Sequence, residues 1–227
     1  MHFEILVEGQ ADLTVLSILM EKILGPFQKP HTWKIHKHRG IGKIQEDPTQ
    51  PPSKTDPTLL HNLPSKLRVY GRDMGKNEIV VVLVDLDDRP DCRVFKSELT
   101  NLLNTCSKRP QTLLRIAVEE TEAWFLGDQK ALCAAYPNAN ADVIDGYVQD
   151  SQCGTWEKLA DAIYPGGSAS LIALGKRSPR VMEQKCVWAR KIAPEMNVER
   201  NQSQSFRQFR DGLRRFIGGK KKRGGHD

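Results

Sequence analysis

Hydrophobic residues in the first half of the chain fall into short unbroken runs that stop abruptly at acids. The clearest goes from Glu78 through Ile79-Val80-Val81-Val82-Leu83-Val84 to Asp85-Leu86-Asp87-Asp88. A strand with one face in water alternates apolar and polar residues, so an unbroken Val/Leu run predicts a central parallel strand covered on both faces. A buried helix is the competing reading. The run's shortness, its β-branched residues and the flanking Asn77 and Arg89-Pro90 favour the strand. Phe3 to Val7 predicts an earlier strand, Gly9 a turn, and Leu13, Leu16, Met20, Ile23 and Leu24 a helix stopped by Gly25-Pro26.

Thr32 to Lys37 fits a second strand. Leu59, Leu60, Leu63, Leu67 and Tyr70 keep helical spacing despite Pro64, and Val94, Leu99, Leu102 and Leu103 give a helix over about 93–104 its inner face. Thr112 to Val118 is a further strand. Strands alternating with helices predict an α/β fold with a mostly parallel, Rossmann-like sheet. Beyond it the pattern turns wholly helical: Trp156 to Ile163; Pro179 to Ile192, with Ser178 as N-cap; and a helix from near Ser205 carrying Phe206, Phe209, Leu213 and Phe216. The expected division is an α/β core over 1–130, a helical extension over 131–216 and a disordered basic tail over 217–227.

Composition changes this picture little. Hydrophobic (39%) and charged (27%) fractions are ordinary for a globular chain, and no apolar run approaches a membrane span. Glu4 and Glu8 interrupt the only apolar stretch near the start, which argues against a secretory signal, so a cytoplasmic protein without membrane contact is expected. Five scattered cysteines without a C-x-x-C pair suggest buried reduced thiols rather than disulfides or zinc. Charge is uneven. Residues 200–227 carry nine Lys/Arg and two acids, a net +7, which leaves the first 199 residues at −1.

The candidate chemistry lies where strands end. Glu8 follows the first strand, Asp85 and Asp87 end the central one, and Glu119, Glu120 and Glu122 follow the last. In open α/β sheets ligands bind at the carboxyl ends of the strands. Nearby carboxylates repel each other, and a hard divalent cation, Mg²⁺ or Mn²⁺, keeps them ionised; zinc would call for His or Cys. A helix starting near Glu119 would put Glu119 and Glu122 on one face, where they could hold a second ion, with Glu120 pointing away. Acids in a first helical turn also complement the helix dipole, so this alternative stays open. Lys43, in a Gly-rich loop without P-loop spacing, is a candidate phosphate contact, as are Lys176 and Arg177 before a helix start; all three also read as plain surface charges.

Val7-Glu8-Gly9-x-x-Asp12 after a first strand, with Asp85-x-Asp87 after a later one, resembles the Toprim domain of topoisomerases, bacterial primases and the nucleases of the overcoming-lysogenisation-defect family. The chain is more similar still to a family of small Toprim-like bacterial proteins regarded as partners of ATPases in phage defence, through Glu119-Glu120-x-Glu122-Ala123-Trp124, Ser178-Pro179-Arg180 and Asn201-x-Ser203-x-Ser205-Phe206-Arg207. The core likeness covers about residues 1–130, and the later motifs carry it to about 216. Asp88-Arg89-Pro90 departs from nuclease Toprims, which often have small residues there.

The resemblance implies magnesium-dependent phosphodiester chemistry on nucleic acid, DNA or RNA. Asp85 and Asp87 are then the principal metal ligands, Glu8 a ligand or general acid/base, and Glu122 or Glu119 the completion of a second site. An ATPase partner is implied too, and an oligomer is left open. Two rivals remain: a catalytically idle binding subunit of an ATPase complex, and an aspartate-based phosphatase or phosphoacceptor domain. The second is disfavoured because such phosphatases place D-x-D on the first strand, where this chain has Glu8-Gly9.

Overall fold

The computed structural model describes residues 1–176 and 178–218. Four strands, β1 (His2–Val7), β2 (Thr32–Lys37), β3 (Glu78–Asp85) and β4 (Thr112–Ala117), form one parallel sheet in the order β2-β1-β3-β4. Phe3 pairs with Ile79 and Val82 with Leu114, which places β1 and β3 side by side in the middle. The fold is the α/β, mostly parallel arrangement that the run pattern predicts.

Alternate strand residues feed two cores. Phe3, Ile5, Val7, Ile79, Val81, Leu83 and Leu113 face one side, and Leu6, Val80, Val82, Val84 and Leu114 the other. Helix α1 (Gln10–Leu24) covers the first face. Helices α2 (Leu59–Asp73) and α3 (Cys92–Leu102) cover the second, so the chain leaves β1 and β3 toward opposite faces. Strand order therefore reverses between β1 and β3, where an open α/β sheet leaves its crevice.

Helix α3 buries Phe95, Leu99 and Leu102. Val94, expected on that inner face, is exposed, because the buried stripe runs through Phe95, Leu99 and Leu102 at i, i+4, i+7 and Val94 falls outside it. The Pro/Thr/Ser-rich stretch after β2 lies against α2: Arg68 binds the carbonyls of Pro48 and Gln50, and His61 accepts from the Ser53 amide at 2.8 Å.

Among the described residues seven further helices follow β4: α4 (Glu122–Leu126), α5 (Gln129–Ala135), α6 (Ala141–Asp145), α7 (Thr155–Ile163), α8 (Gly167–Ile172), α9 (Pro179–Ile192) and α10 (Gln204–Gly218). They do not build a core of their own. Trp188 and Ile192 from α9 and Phe206, Phe209 and Leu213 from α10 join Val15, Leu16 and Phe3 in one continuous cluster. Trp124 sits at its centre, 5.3 Å from the rings of both Phe206 and Phe209, with its indole N–H donated to Ser205 Oγ at 3.0 Å. Cys106 and Cys186 are buried, whereas Cys92, Cys133 and Cys153 are exposed, against the expectation of buried thiols. Among the described residues no helix is long and apolar enough to cross a membrane. The expected basic tail, apart from residues 217 and 218, lies outside the described residues, as does Arg177.

Candidate functional site

The reversal between β1 and β3 is where the acids gather. Glu8, one residue beyond β1, accepts a hydrogen bond from the Asp85 backbone N–H at 2.8 Å. Asp12, in the first turn of α1 and only 7% exposed, accepts from the Gly9 N–H at 3.0 Å and the Thr121 hydroxyl at 3.2 Å. Leu86 turns into the core, and Asp87 follows it at φ +50°, donating its N–H to the Glu119 carbonyl at 2.9 Å. A left-handed aspartate is tolerated because its short polar side chain can bond locally. The Gln152 side chain also ties the Asp87 and Arg89 carbonyls, at 3.1 and 2.8 Å.

Glu119 does not take the position its sequence context suggests. No helix begins there; the chain turns at Glu119 with φ +57°, and α4 starts at Glu122. The Glu119 carboxylate instead caps α7, accepting the backbone N–H groups of Cys153 (3.0 Å), Gly154 (2.7 Å) and Thr155 (3.0 Å) together with the Thr155 hydroxyl. Those donors are the orphan amides of a helix start, which a carboxylate satisfies well. Glu119 and Glu122 thus share no face. Glu120, expected to point away, joins Glu122 on one ammonium: Lys185 from α9 is paired with Glu120 and lies 3.4 Å from Glu122.

Charge repulsion shows throughout the cluster. Burial, then the charges of Asp12, Glu8, Glu120 and Glu122, push the Asp85 carboxyl well above the ordinary aspartate range. Burial and the neighbouring Asp12 and Asp87 do the same to Glu8. Burial and Glu122 carry Asp12 to about 6; burial and Glu122 carry Glu120 to about 8 although Lys185 opposes them. Asp87 is raised by burial, with Arg89 working against it from 3.5 Å. Lys185 is held above the usual lysine range: burial alone would lower it, but Glu122 and Glu120 outweigh burial.

Of the three phosphate candidates, Lys43 and Lys176 are among the described residues. Lys176 is exposed and bonded to Glu157 at 2.8 Å, though near enough to feel Asp88 and Glu120. Lys43 is exposed in the loop whose Gly40 N–H bonds the Glu8 carbonyl at 2.9 Å.

A family model described as "Domain of unknown function (DUF4276)" matches residues 7–214, from the last residue of β1 into α10. The chain belongs to this DUF4276 family. No curated protein and no solved structure matches it. The DUF4276 match crosses residue 130 without a break, in keeping with the shared core of sheet and C-terminal helices, and it spans every acid of the edge as well as Lys185.

Lys185 is the member that sequence reasoning missed. Lys185 carries a legible signal: in the buried stripe Val181, Trp188 and Ile192, it stands four residues after Val181 and seven before Ile192, at an apolar position. Asp12 enters the sequence reading as the last residue of the Val7-Glu8-Gly9-x-x-Asp12 motif, without a role of its own, and its burial at this edge is what the structure adds.

Among the described residues no three His, Cys, Asp or Glu side chains are gathered closely enough to hold a metal ion as they stand. The donor chemistry fits a hard cation all the same, since every group is a carboxylate oxygen; Lys185 pairs with Glu120 and Glu122, and Arg89 lies 3.5 Å from Asp87. Little holds the strand-end side chains apart. The Asp85 carboxylate has no hydrogen-bond or ion-pair partner among the described residues, Glu8 has one amide, and Asp87 has Arg89 at 3.5 Å.

Proposed function

We propose that this DUF4276 protein is a divalent-metal-dependent phosphodiester hydrolase acting on nucleic acid, with Glu8, Asp85 and Asp87 as the metal-holding carboxylates. The unpaired Asp85 carboxylate carries the reading: it ends the most buried strand, at the reversal of strand order, among carboxylates that raise its proton affinity. A protein gains stability by neutralising such a group with a proton or a cation, and magnesium or manganese is the cation its oxygens suit. When bound, such an ion polarises a phosphoryl oxygen and lowers the pKa of a water. The chain's own part is to fix the geometry. The Glu8 carboxylate is anchored to the β3 amide, Asp87 is set by the Glu119 and Gln152 bonds to its backbone, and Lys43, Lys176 and the basic C-terminal segment supply positive charge for a polyanion. The likeness to Toprim nucleases points the same way, and its small relatives suggest an ATPase partner in phage defence.

One observation favours a second reading, an idle binding subunit: Lys185 already compensates two of the acids without any metal. Incubating the protein with single- and double-stranded DNA and RNA, in Mg²⁺, Mn²⁺ or EDTA, alone and with a co-encoded ATPase, decides between them. Metal-dependent cleavage lost in Asp85→Asn supports the hydrolase. Absence of cleavage under every condition favours the binding subunit.

A further inference from the structure

Seven acidic side chains at one sheet edge would ordinarily suggest a pair of metal ions. Which carboxylates remain free to bind a second ion is therefore the question, and the bonds divide them sharply. Glu119 is committed to α7, with each oxygen accepting from the helix start and one of them from three donors. Glu120 and Glu122 are both turned to the Lys185 ammonium, and each oxygen of Asp12 accepts one bond, from the Gly9 N–H or the Thr121 hydroxyl. On the β1/β3 side, Glu8, Asp85 and Asp87 together carry one amide bond and one long contact to Arg89.

Lys185 is not a surface lysine that happens to lean inward. Its side chain is 16% exposed, its ammonium lies 5.7 Å from the Trp156 ring centre, and its stem leaves α9 between the buried Val181 and Trp188. An exposed lysine swings away at little cost, whereas a packed one that gives up two buried carboxylates leaves a charge unpaired in a low-dielectric site. A divalent ion bound by Glu120 and Glu122 would have to displace this ammonium.

We propose that Lys185 is a built-in cation that fills the second position, so that the acidic edge takes a single divalent ion, held by Glu8, Asp85 and Asp87. The inference rests on the metal-dependent reading above and narrows it. Lys185 is a positioning residue: it fixes the Glu120/Glu122 pair and keeps that pair from drawing the ion away from the β1/β3 reversal. The consequence is a site of one-ion stoichiometry despite its seven acids.

Counting bound Mn²⁺ on the full-length protein, by electron paramagnetic resonance of free ion and by calorimetry, tests this without reference to activity. Wild type should bind one ion per chain, Asp85→Asn/Asp87→Asn none, and Lys185→Met two, the second through the released Glu120 and Glu122. Two ions in wild type, one ion retained by Asp85→Asn/Asp87→Asn, or a folded Lys185→Met that still binds one, each overturn the proposal. The double aspartate variant relieves repulsion and keeps the test decisive if Lys185→Met does not fold. No ion in wild type overturns the metal-dependent reading itself, and this inference with it.

Discussion

Glu8 and Asp85, 77 residues apart in the chain, are joined by a 2.8 Å hydrogen bond from the Asp85 backbone N–H to the Glu8 carboxylate. The bond holds one acid beside another whose own carboxylate has no donor. Backbone and burial thus maintain a repulsion that the side chains would relieve if free to move.

Replacing Asp85 with Asn keeps the shape and removes that repulsion. In EDTA at pH 8, Asp85→Asn should be more stable than wild type, since burial and the neighbouring acids oppose the ionised carboxylate that the amide replaces. In a chain of this size each kcal/mol gained raises Tm by about 2–4 °C, readable by circular dichroism. Addition of Mn²⁺ should raise the Tm of wild type and not of the variant, because a ligand that binds only the native state stabilises it. A lower Tm for the variant in EDTA would mean that the Asp85 carboxylate is favourably paired in the native state, and the cluster would need another account.

The raised carboxyls set a pH dependence with a definite sign. A carboxyl whose pKa is higher folded than unfolded holds its proton more tightly in the native state, so its contribution is full below the unfolded value and is lost as pH rises through the folded one. Asp12 spans 3.8 to about 6, and Glu120 spans 4.5 to about 8. In EDTA, Tm should therefore fall as pH rises from about 4 to 8, with Asp12 alone contributing on the order of 3 kcal/mol. Glu120→Gln should flatten the upper part of this slope, above pH 6. Thermal melts of both proteins across the range measure it, and parallel profiles would rule out Glu120 as a source.

The central strand β3 was legible because burial on both faces writes an unbroken apolar run, and Asp85 at its end was legible because nothing from Ile79 to Val84 is charged. Pro179 to Ile192 could be read to the residue from its cap and spacing. The five- to seven-residue helices α5, α6 and α8 could not, since so few residues show no period. Glu119 was misjudged for a different reason. Its left-handed turn is fixed by contacts with Cys153, Gly154 and Thr155, more than thirty residues later, and no local pattern announces them. Lys185 was overlooked because its partners lie over sixty residues away, though a lysine in an apolar stripe is itself a signal.

The packing of α2 gives a test of the fold independent of the site. A Cβ on Gly71 would stand 1.8 Å from the Lys108 carbonyl oxygen, which is backbone and cannot swing aside. Gly71→Ala should cost about 1–3 kcal/mol, as overpacked positions do, despite the better helix propensity of alanine. Urea unfolding measures the loss. A stabilised variant would show that α2 does not lie this close to the segment before β4.

Glu119 separates a structural acid from a metal ligand. Its carboxylate satisfies three backbone N–H groups and one hydroxyl at the start of α7, while its backbone carbonyl holds the Asp87 amide. Hydrogen bonds to a charged acceptor are worth about 1.5–3 kcal/mol each, and donors left unsatisfied cost more. Glu119→Ala should therefore lose about 2–4 kcal/mol of stability, and Glu119→Gln, which keeps one acceptor oxygen, less. Since the carboxylate faces α7 rather than the strand ends, the Mn²⁺ count of the folded variant should stay at the wild-type value, with affinity weakened only as far as the Asp87 loop loosens. Chemical denaturation and Mn²⁺ titration of the same samples read the two effects apart. Full stability with a lost ion would make Glu119 a ligand and reverse the assignment; lost stability with the ion retained is the outcome its bonds require.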